Sequence, residues 1–233
     1  MNLRTIEQQR AAFKAYLSTE AARQFIYWYE SQAVFQKHWD FDAPDFASMY
    51  DRSLANQQTR RLWKREQHYP KQLLLRLLRA FPELGKEMFK DLFRDQNHIE
   101  GRVSRFIYHC DQLLAAWKKN HPESVENNHY HDDEYQMVFL YLSFRFPDLY
   151  GFYFFPAFQE FLQLTQAKEP PLTHDVERYV KTSRVLYKLI TKEEGLLEAH
   201  WARLDDEIHY KEPSLLLVSE FLLFTRKEQK PVF

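Results

Sequence analysis

The chain has few of the residues that form disulfides or tight turns. It contains one cysteine and four glycines in 233 residues. A single cysteine excludes an internal disulfide and fits a reducing compartment, so a cytoplasmic location is expected. So few glycines disfavour a sheet protein with many tight turns and favour helices joined by proline and polar turns. No apolar run of membrane-spanning length and no secretory h-region is present, which predicts no membrane partner.

Sequence motifs of common enzymes are missing as well. The chain has no GxxxxGK[ST] or GxGxxG phosphate loop, no GxSxG elbow, no HExxH and no CxxC pair. Pro147-Asp148 is not followed by the E-x-K strand of a PD-(D/E)xK nuclease. Cys110 lies on the apolar stripe of a helix predicted over 99–118, which indicates a small buried hydrophobe rather than a nucleophile. The sequence therefore predicts neither an enzyme nor a cofactor.

The residues that are present predict a folded helical protein. Apolar residues make up 45% of the chain and aromatic residues 17%, a composition that disfavours disorder. Apolar positions recur at helical spacing along most of the chain, which predicts an all-α or nearly all-α, multi-helix globular bundle. The aromatic run near 149–155 is predicted to form either a short strand or hairpin or a buried turn. Asp45 is expected to cap one helix, Pro70 to open another, and Thr173 or Asp175 to cap a third.

A polar stretch ending in Pro170-Pro171 is the best candidate linker, because consecutive prolines do not continue a helix. It predicts a main helical domain over 1–166 and a C-terminal helical subdomain over 172–233 packed on it. A single domain is an equally consistent interpretation.

Charge is distributed unevenly along the chain. Residues 1–120 carry 20 Lys/Arg against 14 Asp/Glu, whereas residues 121–233 carry 12 against 19.

The most basic stretch, over 57–65, has four cations beside Trp63. Clustered cations beside a tryptophan are typical of a site that contacts phosphates and stacks on a base. The alternative is a solvated helix face with Trp63 turned inward. The candidate nucleic-acid contacts are Arg60, Arg61, Trp63, Lys64, Arg65 and Lys71.

The most unusual stretch runs from Asn128 to Tyr135 and contains two histidines and three acids. Imidazole and carboxylate groups bind transition metals, so His129, His131 and Asp132 are weak candidate ligands. Three more histidines are candidate contributors: His109, His121 and His174. The alternative is structural: Asn128 or Asp132 caps the next helix, while His129 and Tyr130 form buried hydrogen bonds.

Asn128-His129-Tyr130, a following apolar helix and Arg145-Phe146-Pro147-Asp148-Leu149-Tyr150 resemble the "NHY…LxxRYPDxY" segment of the N-terminal region of McrB-like AAA+ restriction proteins. Two upstream pieces are similar in kind, over 39–54 and 81–93. The resemblance spans roughly residues 35–155, and its motifs are structural rather than catalytic.

This resemblance implies a non-enzymatic recognition or adaptor domain of an anti-phage defence system, without the motor, since no Walker A or Walker B sequence is present. Its implied partners are DNA and a separate AAA+ motor or another defence protein. No oligomeric state is predicted. One alternative is a protein–protein interaction module with no nucleic-acid role, using exposed aromatic side chains over 150–155. A minor alternative is a metal-dependent enzyme at His129 and His131.

Overall fold

The computed structural model describes residues 1–56 and 69–226. Within these ranges the chain forms eleven α-helices and no strand, which confirms the predicted all-α bundle. The helices are α1 Leu3–Leu17, α2 Ile26–His38, α3 Phe46–Ser53, α4 Pro70–Ala80, α5 Pro82–Leu92, α6 Ile99–Asn120, α7 Gln136–Arg145, α8 Phe155–Leu164, α9 Val176–Ile190, α10 Leu196–Ala202 and α11 Leu216–Phe224.

Local side-chain chemistry sets several of these helix starts. The carboxylate of Asp45 accepts a hydrogen bond from the backbone N–H of Ser48, and Asp175 accepts one from the N–H of Arg178. Both contacts satisfy N–H groups that have no partner inside the helix. Pro70 is the first residue of α4, where its missing N–H costs nothing. The capping predictions for Asp45 and Asp175 and the start at Pro70 are confirmed.

Helices α2 to α7 form one side of the bundle around a cluster of aromatic rings. Trp39 lies at its centre: its ring centroid is 4.7 Å from that of Phe35, 4.9 Å from that of Phe89 and 5.4 Å from that of Phe93. Edge-to-face and stacked pairs at these distances add specific geometry to the burial of large apolar surfaces. Helix α6 packs along α5 and also contacts α9, which joins this side to the rest of the molecule.

Helix α1 packs against α9, α10 and α11, the helices that follow Pro170-Pro171. The Phe13 ring centroid is 5.3 Å from that of Phe221, and the Arg10 Nε is 2.9 Å from the Glu193 carboxylate. These contacts cross the predicted boundary between 1–166 and 172–233. The buried apolar residues from both ranges belong to one hydrophobic core, as the single-domain interpretation requires.

Of the two alternatives for the segment near 149–155, the strand or hairpin is not formed: residues 151–154 have no regular secondary structure and are buried. No neighbouring strand serves this segment within the described residues, and its backbone is satisfied by helices instead. The carbonyl of Phe152 accepts hydrogen bonds from the hydroxyls of Tyr179 and Ser219. Gly151 passes so close to α11 that an added Cβ would lie 2.7 Å from the Leu215 carbonyl oxygen. The segment is therefore an extended insertion between helices.

Across residues 1–56 and 69–226, none of the helices combines the length and apolar character needed to cross a membrane.

Candidate functional site: a buried histidine–tyrosine network

The loop between α6 and α7 turns both of its histidines into the core. The Asn128 side chain accepts a hydrogen bond from the Tyr130 N–H at 2.7 Å, and Tyr130 itself has a left-handed backbone with φ 60°. This local turn places His129 and His131 on the same inner side, where they are 2% and 0% exposed. Glu134 and Tyr135 also have positive φ values. Residues with side chains rarely adopt this conformation, so surrounding contacts must hold the loop.

The hydrogen bonds of the two rings define their tautomers. His131 Nδ1 lies 2.8 Å from the His129 carbonyl oxygen, which only accepts, so Nδ1 carries the hydrogen and Nε2 is the acceptor. The backbone N–H of His131 donates to His129 Nδ1 at 3.0 Å. His129 Nε2–H then donates to the Asp111 carboxylate at 3.2 Å. Both imidazoles are thus fully bonded in their neutral forms.

Two tyrosines extend the chain of hydrogen bonds into the core. The Tyr141 hydroxyl donates to His131 Nε2 at 3.0 Å, and the Tyr50 hydroxyl, 2.9 Å away, then donates to Tyr141. We call His129, His131, Tyr141 and Tyr50 the His–Tyr network. Burial, reinforced by the neighbouring His129, lowers the pKa of His131 to about 3. Burial also raises the pKa of both tyrosines well above the usual value, so His131, Tyr141 and Tyr50 are uncharged at neutral pH.

Cys110 of α6 lies against this network. Its Sγ and one ring nitrogen from each of His129 and His131 all lie within 4.8 Å of one another, and all three residues are buried. The thiol is fully buried, as predicted, and burial raises its pKa well above the usual value. Its nearest sulfur neighbour is Met88 Sδ, 3.7 Å away. The sequence pattern identified Cys110 as buried but gave no sign that its helix faces the histidine loop.

Asp132 does not lie with His129 and His131 as a candidate metal ligand, contrary to the prediction. It is exposed and does not belong to the cluster, because the chain turns outward after His131. The capping alternative is also wrong: Asp132 makes no side-chain cap, and Asn128 stabilises the turn at Tyr130 rather than a helix start. The buried hydrogen bonds expected of His129 are present.

The other candidate histidines have different partners, and none belongs to the cluster with Cys110. His121 stacks on Trp117 with a centroid distance of 4.3 Å, and His174 Nδ1 lies 3.2 Å from the Tyr153 hydroxyl. His109 is half-buried beside Tyr108 on α6.

The basic patch is described only at one end. Arg60, Arg61, Trp63, Lys64 and Arg65 lie outside the described residues. Lys71 is 5% exposed, and its ammonium group donates to the Asp51 carboxylate at 2.7 Å and to the carbonyls of Asp51 and Leu54. Its position at the start of α4 turns it inward toward α3, so Lys71 has a structural role and does not present its charge to a ligand.

The aromatic segment expected to form a docking surface is buried. Tyr150, Phe152, Tyr153 and Phe154 are each at most 4% exposed, since the segment inserts between helices. The prediction that these rings form an exposed protein-binding surface is wrong.

A second buried polar group was not anticipated from the sequence. The Arg203 guanidinium donates to the Glu220 carboxylate at 2.7 Å, to His200 Nδ1 at 2.9 Å and to the Ala22 carbonyl at 2.8 Å. It also lies 5.7 Å from the centroid of the Tyr29 ring. We call Arg203, Glu220, His200 and Tyr29 the Arg–Glu cluster. The available signal was Glu220 itself, a single acid within the apolar helix α11.

Comparison with protein-family models, with curated proteins and with solved structures gives no match to this chain.

Proposed function

We propose that this chain is a non-enzymatic recognition module, similar in role to the front domain of McrB-like restriction proteins, and that it binds DNA through residues 57–68. Its setting would be the cytoplasm, with a separate AAA+ motor or another defence protein as partner. One observation carries the proposal. The most basic sequence in the chain connects α3 to α4, and Lys71 joins the ends of these two helices next to it.

Lys71 joins the start of α4 to the end of α3. Its ammonium group lies at the start of α4 and binds the carboxylate of Asp51 and the carbonyl of Leu54 at the end of α3. On the other side, the Asn56 side chain donates to the Ser31 hydroxyl of α2. Both ends of the 57–68 sequence are therefore attached to the folded body. A binding segment on a rigid base loses less conformational entropy when it engages a ligand.

The chemistry of the segment and its flanks suits a polyanion. The sequence over 57–68 contains four cations and one acid. Arg52 and Arg79, on the two flanking helices, are exposed, and Tyr69 presents 42% of its surface directly after the segment. Cations contact phosphates and aromatic rings stack on bases, and the two together are typical of single-strand binding.

The His–Tyr network does not support a catalytic metal site at its histidines. Its rings are enclosed and fully hydrogen-bonded, whereas a catalytic metal site keeps one position open to substrate. A metal-dependent enzyme at His129 and His131 is therefore not our proposal.

Fluorescence anisotropy with duplex and single-stranded DNA, modified and unmodified, across a salt series tests the proposal. We expect binding that weakens steeply with salt, because each neutralised phosphate contributes about 0.7–0.9 to the logarithmic salt slope. The double substitution Arg61→Glu/Lys64→Glu should abolish binding at moderate salt and flatten the slope.

The matched control is Lys188→Glu/Lys192→Glu, which changes the same charge at two exposed positions in and just after α9. Equal losses in both double variants would show that only net charge matters. No binding by the unaltered protein at low salt would overturn the DNA proposal.

A further inference from the structure

We propose that Cys110, His129 and His131 form a closed binding site for one Cu(I) ion, with the thioether of Met88 as a fourth donor. This site is independent of the DNA-binding proposal, because it lies in the core and involves none of residues 57–71. Its role is structural: the ion would join α5, α6 and the loop before α7.

The donors already converge without an ion. Ring nitrogens of His129 and His131 and the Cys110 sulfur lie within 4.8 Å of one another. Bonds of about 2.0–2.3 Å place tetrahedral ligand atoms about 3.3–3.8 Å apart. The widest-spaced pair of donors therefore needs to approach by about 1.0–1.5 Å when the ion binds. Met88 Sδ, 3.7 Å from Cys110 Sγ, is already at ligand–ligand spacing.

Charge decides which ion suits this site. A Cys110 thiolate with two neutral imidazoles and a thioether carries one negative charge, so Cu(I) forms a neutral complex. Zn²⁺ would leave one positive charge in a core where all three principal ligands are buried. An uncompensated buried charge costs several kcal/mol. The nearest acid, Asp111, has a side chain 63% exposed and already accepts from His129. Thiolate and thioether sulfur are also the soft donors that select Cu(I).

Binding would change the bonding of three residues. The Cys110 thiol loses its proton, so one proton is released for each ion bound. Coordination by His131 through Nε2 replaces the hydrogen bond from Tyr141, and coordination through Nδ1 replaces the bond to the His129 carbonyl. Coordination by His129 through Nδ1 replaces the hydrogen bond from the His131 N–H, and coordination through Nε2 replaces the bond to the Asp111 carboxylate. The Tyr141 hydroxyl therefore competes with the ion when the ion binds His131 Nε2, and does not compete when the ion binds Nδ1. In neither case is Tyr141 a ligand.

Anaerobic titration of the metal-free protein with Cu(I), against a chromophoric Cu(I) chelator, tests this proposal. We expect one ion per chain, and an affinity loss of at least 100-fold in Cys110→Ser and in His131→Asn. Tyr141→Phe is the matched control, since it disrupts the His–Tyr network and keeps all four donors. It should bind Cu(I) at least as tightly as the unaltered protein. Circular dichroism confirms that each variant is folded.

X-ray absorption of the copper complex should show nitrogen and sulfur neighbours together. A parallel titration with Zn²⁺ should give weaker binding than Cu(I), and tighter zinc binding would overturn the choice of ion. No stoichiometric binding of Cu(I), or binding unaffected by Cys110→Ser, would overturn the site.

Discussion

The His–Tyr network and the Arg–Glu cluster both place polar side chains in the core, but they differ in charge. The His–Tyr network is neutral, and each bond in it pairs one donor with one acceptor. The Arg–Glu cluster is charged, with Glu220 0% exposed and the Arg203 side chain 4% exposed. Within residues 1–56 and 69–226, Arg203 Nε and Glu220 Oε2 have no hydrogen-bond partner. Removing one member of the neutral network leaves hydrogen-bonding groups without a partner, whereas removing one member of the buried ion pair leaves an uncompensated charge.

The largest expected effect comes from breaking the charged cluster. Arg203→Met leaves the Glu220 carboxylate buried without its cation, and we expect the free energy of unfolding to fall by about 3–5 kcal/mol. Arg203→Met/Glu220→Leu removes both charges and should recover most of that loss. Urea denaturation measures each variant. If the double variant is as unstable as the single one, packing rather than charge dominates the cluster.

The second expected effect is acid sensitivity shared by both groups. Burial lowers the pKa of His131 to about 3, and burial together with Arg203 holds the pKa of His200 well below its usual value. Below pH 6.5, the ordinary pKa of histidine, the unfolded chain therefore binds more protons than the folded one. The stabilisation that these neutral histidines contribute is fully present above pH 6.5 and is lost as the pH falls. For His131 the loss continues to about pH 3. His131 should contribute about 2 kcal/mol of loss between pH 7 and pH 5, and His200 should contribute a loss in the same direction.

Urea midpoints at pH 7, 6 and 5 measure this loss. His131→Gln and His200→Gln should each flatten the pH dependence, and the double variant should flatten it further. An unchanged slope in His131→Gln would contradict the neutral state assigned to that ring.

A smaller effect distinguishes positions within the His–Tyr network. Tyr141→Phe leaves both the Tyr50 hydroxyl and His131 Nε2 without their partner, which we expect to cost about 1–3 kcal/mol. Tyr50→Phe removes only the terminal donor and should cost less. Calorimetry of both single variants and the double variant gives their coupling. Additive losses would show that the chain of hydroxyls does not act as a unit.

The smallest effect is expected at the solvent edge of the same network. Asp111→Asn keeps an oxygen acceptor for His129 and removes a charge from a side chain that is 63% exposed. We expect a change below about 1 kcal/mol. A loss as large as that of Tyr141→Phe would mean that the charge, and not the hydrogen bond, holds His129.

Periodicity and local chemistry were sufficient to predict most helices of this fold. Asp45 and Pro70 mark helix starts because their effects act within one turn. The segment near 149–155 is too apolar and aromatic for an ordinary loop, and its composition leaves a short strand and a buried turn as alternatives. Its actual state depends on Tyr179 and Ser219, which lie far away in sequence.

The candidate site shows the same limit. The sequence identified His129 and His131 as unusual, and Cys110 as buried, from each segment alone. These three residues lie together because of the way α6 packs against the loop. That packing cannot be read from the sequence of either segment alone. Asp132 was grouped with the histidines by adjacency, but the turn points it to solvent. The role of Lys71 likewise depends on where α3 ends beside α4.

The packing of α1 has a consequence for biosynthesis. Its partners Glu193 and Glu194 are about 180 residues later than Arg10 and Lys14. At roughly 5–20 residues per second, a ribosome needs roughly 10–40 s to make that interval. During this time the apolar face formed by Ile6, Phe13 and Leu17 lacks its later partners α9, α10 and α11. The first helix to be synthesised is thus among the last to dock, and a nascent chain has reason to need a chaperone at this face.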